Sequence, residues 1–304
     1  MPVRPRVGVV TINWNGLEDT RRCLQSLGGV TYQNLRVFVV DNGSADDEAA
    51  TLAAEHPWCR VLPQQSNLGF SEGCNVGIVE ALADGADYIL LLNNDTQVTP
   101  GFLEPLVEFA ERTPGAGAVG SLILYDTSDT VWSAGGHLSI LTGFTHIEGK
   151  GRPRSAYASR EPFPTEFIAG ACLLVDSGLV RQVGLLDPEY FAYYEDIDWC
   201  YRFRAAGRVA YTVPASVIDH RKSASTGAAG TNKLSPVAAY FMARNALYFG
   251  RKHLTGARRW WFTLMQFVLR APYNLAFRTQ PGAKRPYLRG LAHGVRPGEN
   301  PTPS

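Results

Sequence analysis

The first 120 residues alternate between two spacings of apolar side chains. Val7 to Ile12 is a β-branched run that reads as a buried strand. Leu17 to Leu27 then carries Leu17, Cys23, Leu24 and Leu27 at helical spacing before Gly28-Gly29. Leu35 to Val40 is a second apolar strand, ended by Asp41-Asn42-Gly43-Ser44, and Asp46 to Ala54 reads as a helix. Val61-Leu62 is a short third strand, Ser71 to Ala83 is helical, and Tyr88 to Leu92 is a fourth strand. Phe102 to Arg112 is a helix stopped by Pro114-Gly115. Apolar strands alternating with helices predict a mostly parallel α/β sheet covered on both faces. Right-handed crossovers collect the polar strand ends on one edge, which is where such sheets bind ligands. Thr11-Ile12-Asn13, Asp41-Asn42 and Asn93-Asn94-Asp95 all fall at such ends.

The pattern changes after residue 115. AVGSLILYD and TVWSAGGHLSI read as strands, and the Gly-interrupted stretch from Gly143 to Pro164 reads as a flexible loop over the site. Order returns with FIAGACLLVD as a strand, Ser177 to Val183 as a short helix, and Trp199 to Ala206 as a helix closed by Gly207. RVAYTVPASVIDH reads as a strand pair or one bent strand. Residues 237 to 270 form one or two aromatic-rich helices, and the tail from Gly282 is basic, then Gly/Pro-rich, and is expected to fray. These shifts divide the chain into a first half (1–115), a second half (116–235) and a helical, basic and aromatic extension (236–304). No internal repeat is visible.

Composition narrows the classes. With 304 residues and 45% hydrophobic content, a large core is within reach. A formal net charge of +1 gives no case for nucleic acid as a partner. The five cysteines are scattered, odd in number and without a CxxC, which predicts a reduced, cytoplasmic protein with neither a disulfide frame nor a zinc site. The N-terminus lacks a signal-peptide apolar region, and no apolar run is long enough to span a bilayer. The sequons at Asn42 and Asn94 therefore carry little weight. Gly115 to Gly120 matches G-x-G-x-x-G, but it follows a helix and enters a strand, the reverse of a dinucleotide fingerprint.

Each polar strand end has an ordinary reading beside a chemical one. Asp41 suits an Asx-turn with Asn42-Gly43, or a carboxylate that accepts from a nucleobase or ribose. Asn93-Asn94-Asp95 suits a turn, or a hard divalent cation that takes one carboxylate and leaves charge for a diphosphate. Tyr194-Glu195-Asp196-Ile197-Asp198 suits acids at a helix N-terminus, or a general base among crowded carboxylates. A lone His220 is ordinarily structural, and gains meaning only as a nitrogen ligand beside Asp95.

Taken in order, VVTINWNG, VFVVDNGSADD, NLGFSEGCNVGI, YILLLNNDTQV, AGACLLVDSGLV and GLLDPEYFAYYEDIDWCYRFRAAG resemble the inverting, GT-A fold glycosyltransferases of family 2. The NWNG and NND versions look most like the bacterial rhamnosyltransferase branch. The similarity runs from about Val7 to His220, and YFMARNALYFGRKH is also typical. The resemblance implies that Thr11, Asn13 and Asp41 line the nucleoside pocket, with Asn67, Gly69 and Asn75 nearby. It puts Asn93, Asn94 and Asp95 at the family's DXD position. This chain departs from the acidic pattern there, which leaves Asp95 as the main carboxylate ligand of Mg or Mn, with His220 completing the metal or diphosphate site. Ala169, Gly170, Ala171 and Trp199 would border sugar and acceptor. Asp196 would be the catalytic base, with Glu195 as its neighbour.

The same resemblance implies dTDP-rhamnose as donor and a polyprenyl-diphosphate-linked or cell-envelope glycan as acceptor. A UDP-hexose donor on the same fold, and a non-catalytic nucleotide-sugar-binding protein, are the alternatives. Residues 257–289 combine Arg258-Arg259, an apolar stretch, Arg270 and Arg278, then Lys284, Arg285 and Arg289. They read either as a helix packed on the core or as an interfacial helix on the inner face of the plasma membrane. The oligomeric state is open.

Overall fold

The alternation forms in chain order as β1 (Val7–Asn13), α1 (Leu17–Leu27), β2 (Leu35–Asp41), α2 (Glu48–Glu55), β3 (Arg60–Pro63), α3 (Gly69–Ala83), β4 (Tyr88–Leu92), β5 (Thr96–Val98), α4 (Leu103–Arg112) and β6 (Ala116–Tyr125). The structure, a computed structural model, describes residues 4–221 and 233–296. The second half adds β7 (Val131–Ser133), β8 (Gly136–Leu138), β9 (Thr145–Ile147), β10 (Phe163–Thr165), β11 (Cys172–Asp176), α5 (Ser177–Val183), α6 (Glu195–Ala205) and β12 (Val209–His220). Then come α7 (Pro236–His253) and α8 (Gly256–Met265). The latter runs on through a π-helical turn (Gln266–Arg270), the short α9 (Ala271–Tyr273) and a second π-helical turn (Asn274–Arg278), before α10 (Lys284–Val295).

The main sheet has the order β10-β12-β6-β11-β4-β1-β2-β3, with β5 paired to β12 and β7 to β6. β12, β6, β4, β1, β2 and β3 point one way, and β11 runs against both neighbours. The carboxyl ends at Asn13, Asp41, Leu92 and His220 therefore share one edge. Because β11 is reversed, its amino end comes to that edge, with Cys172 opposite Leu92. That reversal brings Ala169-Gly170-Ala171 beside the Asn93 turn.

Alternate residues of β1 feed two layers of core. Val7 and Val9 pack with Cys23 and Leu24 of α1 and Leu106 of α4. Val10 packs with Cys74 and Ile78 of α3 and belongs to the cluster that holds Trp199 and Phe203 of α6. Helix α3 lies so close that a Cβ at Gly77 would sit 2.3 Å from Val10 Cγ1. Close approach explains a glycine at a position where helix propensity alone disfavours it by about 1 kcal/mol.

Several expectations are corrected. FIAGACLLVD is a strand only from Cys172; residues 167–171 turn instead, with Cys172 N–H donated to Ala169 O at 3.2 Å. TVWSAGGHLSI breaks into β7 and β8 at Gly135, whose φ is +85°. Of the two readings of RVAYTVPASVIDH, the single bent strand is the one that forms, with register shifts between Val209 and Tyr211 and between Val213 and Val217. Residues 143–164 are ordered rather than a flexible loop: β9 pairs with β8, and buried Tyr157 donates to Glu148 at 2.9 Å. Fraying does not begin at Gly282, because α10 packs Tyr287 and Leu291 against Ala239, Ala243 and Leu247 of α7. The end of the tail, 297–304, lies outside the described residues.

Candidate active site

The loops that end β1 and β2 and precede α3 are tied together by amides. Asn13, at the end of β1, is fully buried; its Nδ2 donates to Glu48 Oε2 at 2.7 Å and to Ser44 Oγ at 3.2 Å, and its Oδ1 accepts from Thr20 Oγ1 at 2.6 Å. Asp41 Oδ1 accepts from Ser44 Oγ at 2.6 Å and Ser44 N–H at 3.2 Å, so the Asx-type turn is real. Its Oδ2 stays uncommitted among the described residues. Asn42, which sequence reading treated only as a turn residue, donates to Asn67 Oδ1 at 3.1 Å and to Gly69 O at 3.0 Å, and accepts from Leu68 N–H. Gly69 has φ +82°, and a Cβ there would lie 2.6 Å from the Phe191 ring. Only glycine fits that turn. Thr11 lies buried in β1, and its Oγ1 is without a partner.

Two assigned residues point elsewhere. Asn75 exchanges two hydrogen bonds with the backbone of Leu186, at 2.9 and 3.0 Å, and also donates to Glu72. Its amide ties α3 to the segment before α6 instead of reaching a nucleotide. Trp199 is fully buried with its indole N–H donated to Gly184 O at 2.9 Å. It is core and has no surface to offer an acceptor; a large apolar residue one turn into an amphipathic helix goes inward.

The Asn93 turn and the end of β12 meet. His220 Nε2 lies 3.2 Å from Asp95 Oδ1 and 3.5 Å from Asn93 Nδ2. The imidazole stacks on Trp132, with ring centroids 4.6 Å apart; nothing in the sequence singled Trp132 out. Asn93 Oδ1 and His220 Nδ1 are buried without hydrogen-bond partners. Asn94 turns away and donates to Thr20 Oγ1 at 2.9 Å. Among the described residues no three His, Cys, Asp or Glu side chains converge, so a cation here would draw on the amide and on ligands beyond these side chains.

The turn into α6 joins the same edge through two backbone contacts. Asn93 N–H donates to Ala171 O at 3.1 Å, and Gly170 N–H donates to Asp196 Oδ2 at 3.2 Å. The three carboxylates that open α6 have three fates. Glu195 is buried with Oε2 unpartnered; burial, then the charges of Asp196 and Asp198, pushes its carboxyl well above the ordinary range. Asp196 is part-exposed, and burial raises its pKa too, against the pull of the Gly170 and Ile197 N–H groups. Asp198 feels the same burial, but bonds from His253 and Lys252 and the charge of Arg202 hold it at about 2. His253 Nε2 is 2.7 Å and Lys252 Nζ 2.8 Å from Asp198 Oδ1, and Arg202 Nε is 2.8 Å from Oδ2. Asp196 is thus the accessible carboxylate of the three, Glu195 a buried neighbour and Asp198 an anchor.

A mostly parallel sheet with acids and amides gathered at its carboxyl edge, followed by a helical region, defines the GT-A fold of nucleotide-sugar transferases. The solved structure of GalNAc-T7 with UDP, GalNAc and Mn2+ matches it with a TM-score of 0.60 at 14% identity, over 90% of this chain and 58% of that one. S. aureus TarS 1-349 matches with a TM-score of 0.59 at 11% identity, over 95% and 80%. At those identities the likeness concerns fold alone.

Residues 8–184 match the model of the family described as Glycosyl transferase family 2, and this chain belongs to that family. An N-acetylglucosaminyl-diphospho-decaprenol L-rhamnosyltransferase of Mycobacterium tuberculosis (strain ATCC 25618 / H37Rv) is 31% identical over 89% of this chain and 91% of its own. The dTDP-rhamnosyl transferase RfbF of Shigella flexneri is 25% identical over 73% and 72%. The protein is a glycosyltransferase of rhamnosyltransferase-like type.

Proposed function

We propose that this enzyme moves rhamnose from dTDP-rhamnose to a hydroxyl of a polyprenyl-diphosphate-linked or growing cell-envelope glycan, with inversion at the anomeric carbon and help from Mg or Mn. The names of the two relatives support donor and acceptor class. The observation that carries the chemistry is Asp196: a part-exposed carboxylate of raised pKa, braced by the Gly170 N–H at the edge it shares with Asp95. A base whose pKa is lifted toward neutrality removes a hydroxyl proton more readily than an ordinary carboxylate. Asp196 takes the acceptor's proton, and the oxygen attacks C1 from the face opposite the diphosphate. Ala169 and Gly170 border the sugar and the acceptor; Asp41 and the Asn67–Gly69 turn border the nucleoside.

The donor set fits a divalent cation. Asp95 and His220 stand within 3.2 Å of one another, and Asn93 Oδ1 is a buried acceptor in want of a partner. One carboxylate, one amide oxygen and one imidazole suit Mn, and Mg with more water, when diphosphate oxygens complete the shell. Asp95, His220 and Asn93 would hold the ion. When bound, it neutralises the leaving diphosphate.

The reading also places the enzyme in the cytoplasm, peripheral on the inner face of the plasma membrane. The helical run from Gly256 to Arg278 is two-faced. Phe262, Gln266, Arg270 and Asn274 are buried against the protein, whereas Trp260 is 77% and Phe277 69% exposed, with Val268, Leu264 and Trp261 also open. Arg258 and Arg259 within the run, and Lys284 and Arg285 after it, are exposed cations, and apolar surface with positive charge is the pairing an anionic lipid surface takes. Flotation with anionic vesicles should carry the protein upward, and a protein left at the bottom would contradict the placement. No helix of the described residues is long and apolar enough to cross a membrane.

A panel of nucleotide sugars, read by nucleoside diphosphate release with and without Mn, tests the whole reading. dTDP-rhamnose should turn over fastest, and less without metal. A faster UDP-hexose would replace the donor assignment. Binding without release from any donor in the presence of acceptor would overturn the transferase chemistry.

A further inference from the structure

The turn that leads into the catalytic pair is strained. Phe191, Tyr193 and Tyr194 have φ of +59°, +70° and +76°, and none is glycine. Side-chain-bearing residues rarely adopt that region, and a run of them persists only where the surroundings over-determine it. Here the surroundings are a helix some fifty residues downstream. Asn245 of α7 is fully buried, and its Nδ2 lies 2.8 Å from Tyr190 O, 2.8 Å from Ala192 O and 2.7 Å from Tyr193 O. An amide has two N–H bonds, so these three carbonyls share them. The neighbouring Arg244 donates to Asn245 Oδ1 at 2.8 Å and to Glu189 O at 2.6 Å. That contact fixes which way the amide faces. Arg270, in the first π-helical turn, donates to Tyr194 Oη at 2.6 Å. Helix α6 has no side-chain cap of its own at Tyr194, so its first turn takes its direction from this clamp.

We infer that Asn245 is a positioning residue for the transfer: by gathering the carbonyls of Tyr190, Ala192 and Tyr193 it holds the left-handed turn that aims Asp196 at the acceptor hydroxyl. The inference rests on Asp196 as the base. It gives the helical extension a part in catalysis, although no residue of the extension is placed among the donor's contacts.

The test uses the full chain and the best donor of the panel. Asn245→Ala should lower kcat about a hundredfold, the scale on which misplacement by about 1 Å acts, while KM for the donor stays within about twofold. The acid limb of the kcat profile should move to higher pH as Asp196 loses its alignment with the Gly170 N–H. Nucleoside diphosphate affinity, read by calorimetry, should not change. Tyr194→Phe removes only the hydroxyl that Arg270 holds, and should lower kcat several-fold with KM unchanged. Turnover within about threefold of the parent for a folded Asn245→Ala protein would overturn the inference, as would KM rising in step with the fall in kcat. If Asn245→Ala does not fold, Tyr194→Phe decides, and an unchanged kcat refutes the clamp. Asp196→Asn, run alongside, separates the two claims. Its retention of turnover sinks the base assignment, whereas its inactivity beside an active Asn245→Ala sinks only the positioning role.

Discussion

The nucleotide side and the catalytic side of this site are built by different means. On the nucleotide side the loops that end β1 and β2 are held within the same half of the chain: Asn13 by Thr20 and Glu48, Asp41 by Ser44, Asn42 by Asn67 and Gly69. On the catalytic side the turn before Glu195 and the anchor Asp198 are held by α7, through Asn245, Lys252 and His253. Short tight turns need only amides and glycines. A strained turn with three side-chain-bearing residues at positive φ needs an external brace. The difference is that the turn into α6 takes its support from the extension, whereas the strand-end loops of the first half take theirs from near in sequence.

Breaking the catalytic side at its base should have the largest effect. Asp196→Asn should cost about a thousandfold in turnover, measured by nucleoside diphosphate release, with the circular dichroism spectrum unchanged. Next comes the anchor. Asp198→Ala takes the buried counter-charge from Arg202 and the acceptor from His253, leaves Lys252 with Asp187 alone, and should lose about 3 kcal/mol of stability in a urea titration. The same substitution tests whether the brace works through α7, since turnover should fall with stability.

Acid sharpens the contrast, because two carboxylates two residues apart in α6 are shifted in opposite senses. Asp198 is depressed to about 2 in the fold; its stabilisation, about 2.5 kcal/mol at most, is present above the unfolded value near 3.9 and is lost as pH falls toward 2. Asp196 is raised, so its working, deprotonated form gives out at a pH above the ordinary carboxylate range. Activity should therefore fail first on acidification and the fold later, seen by following turnover and melting temperature in the same buffers. On the nucleotide side the effect should be smaller: Gly69→Ala should cost about 2 kcal/mol, from a left-handed φ plus the clash with Phe191, read as a lower urea midpoint.

What could be read from the sequence follows the same division. Strand ends at Asn13, Asp41 and Asn93 are legible because apolar runs stop abruptly on polar residues, and parallel topology then puts them together. Asp95 beside His220 was legible only through resemblance, since they are far apart in sequence and meet because β5 pairs with β12. Trp199 and Asn75 were misjudged for one reason. Position in a motif says which residues are near a site, not which way their side chains point, and helical phase turned both into packing. Gly170 serves through its backbone N–H, and Trp132 through a stacked face, and neither leaves a mark in periodicity. The order in residues 143–164 was hidden because glycines at positive φ, such as Gly149 and Gly151, make tight turns as readily as slack ones.

The claim that the two sides are separately built can be tested by one calorimetric comparison, with the nucleoside diphosphate of the best donor titrated in Mn into the parent, Asp196→Asn and Asp95→Ala. The account predicts parent-like affinity for Asp196→Asn and affinity weaker by about tenfold or more for Asp95→Ala. Equal weakening in both would contradict it.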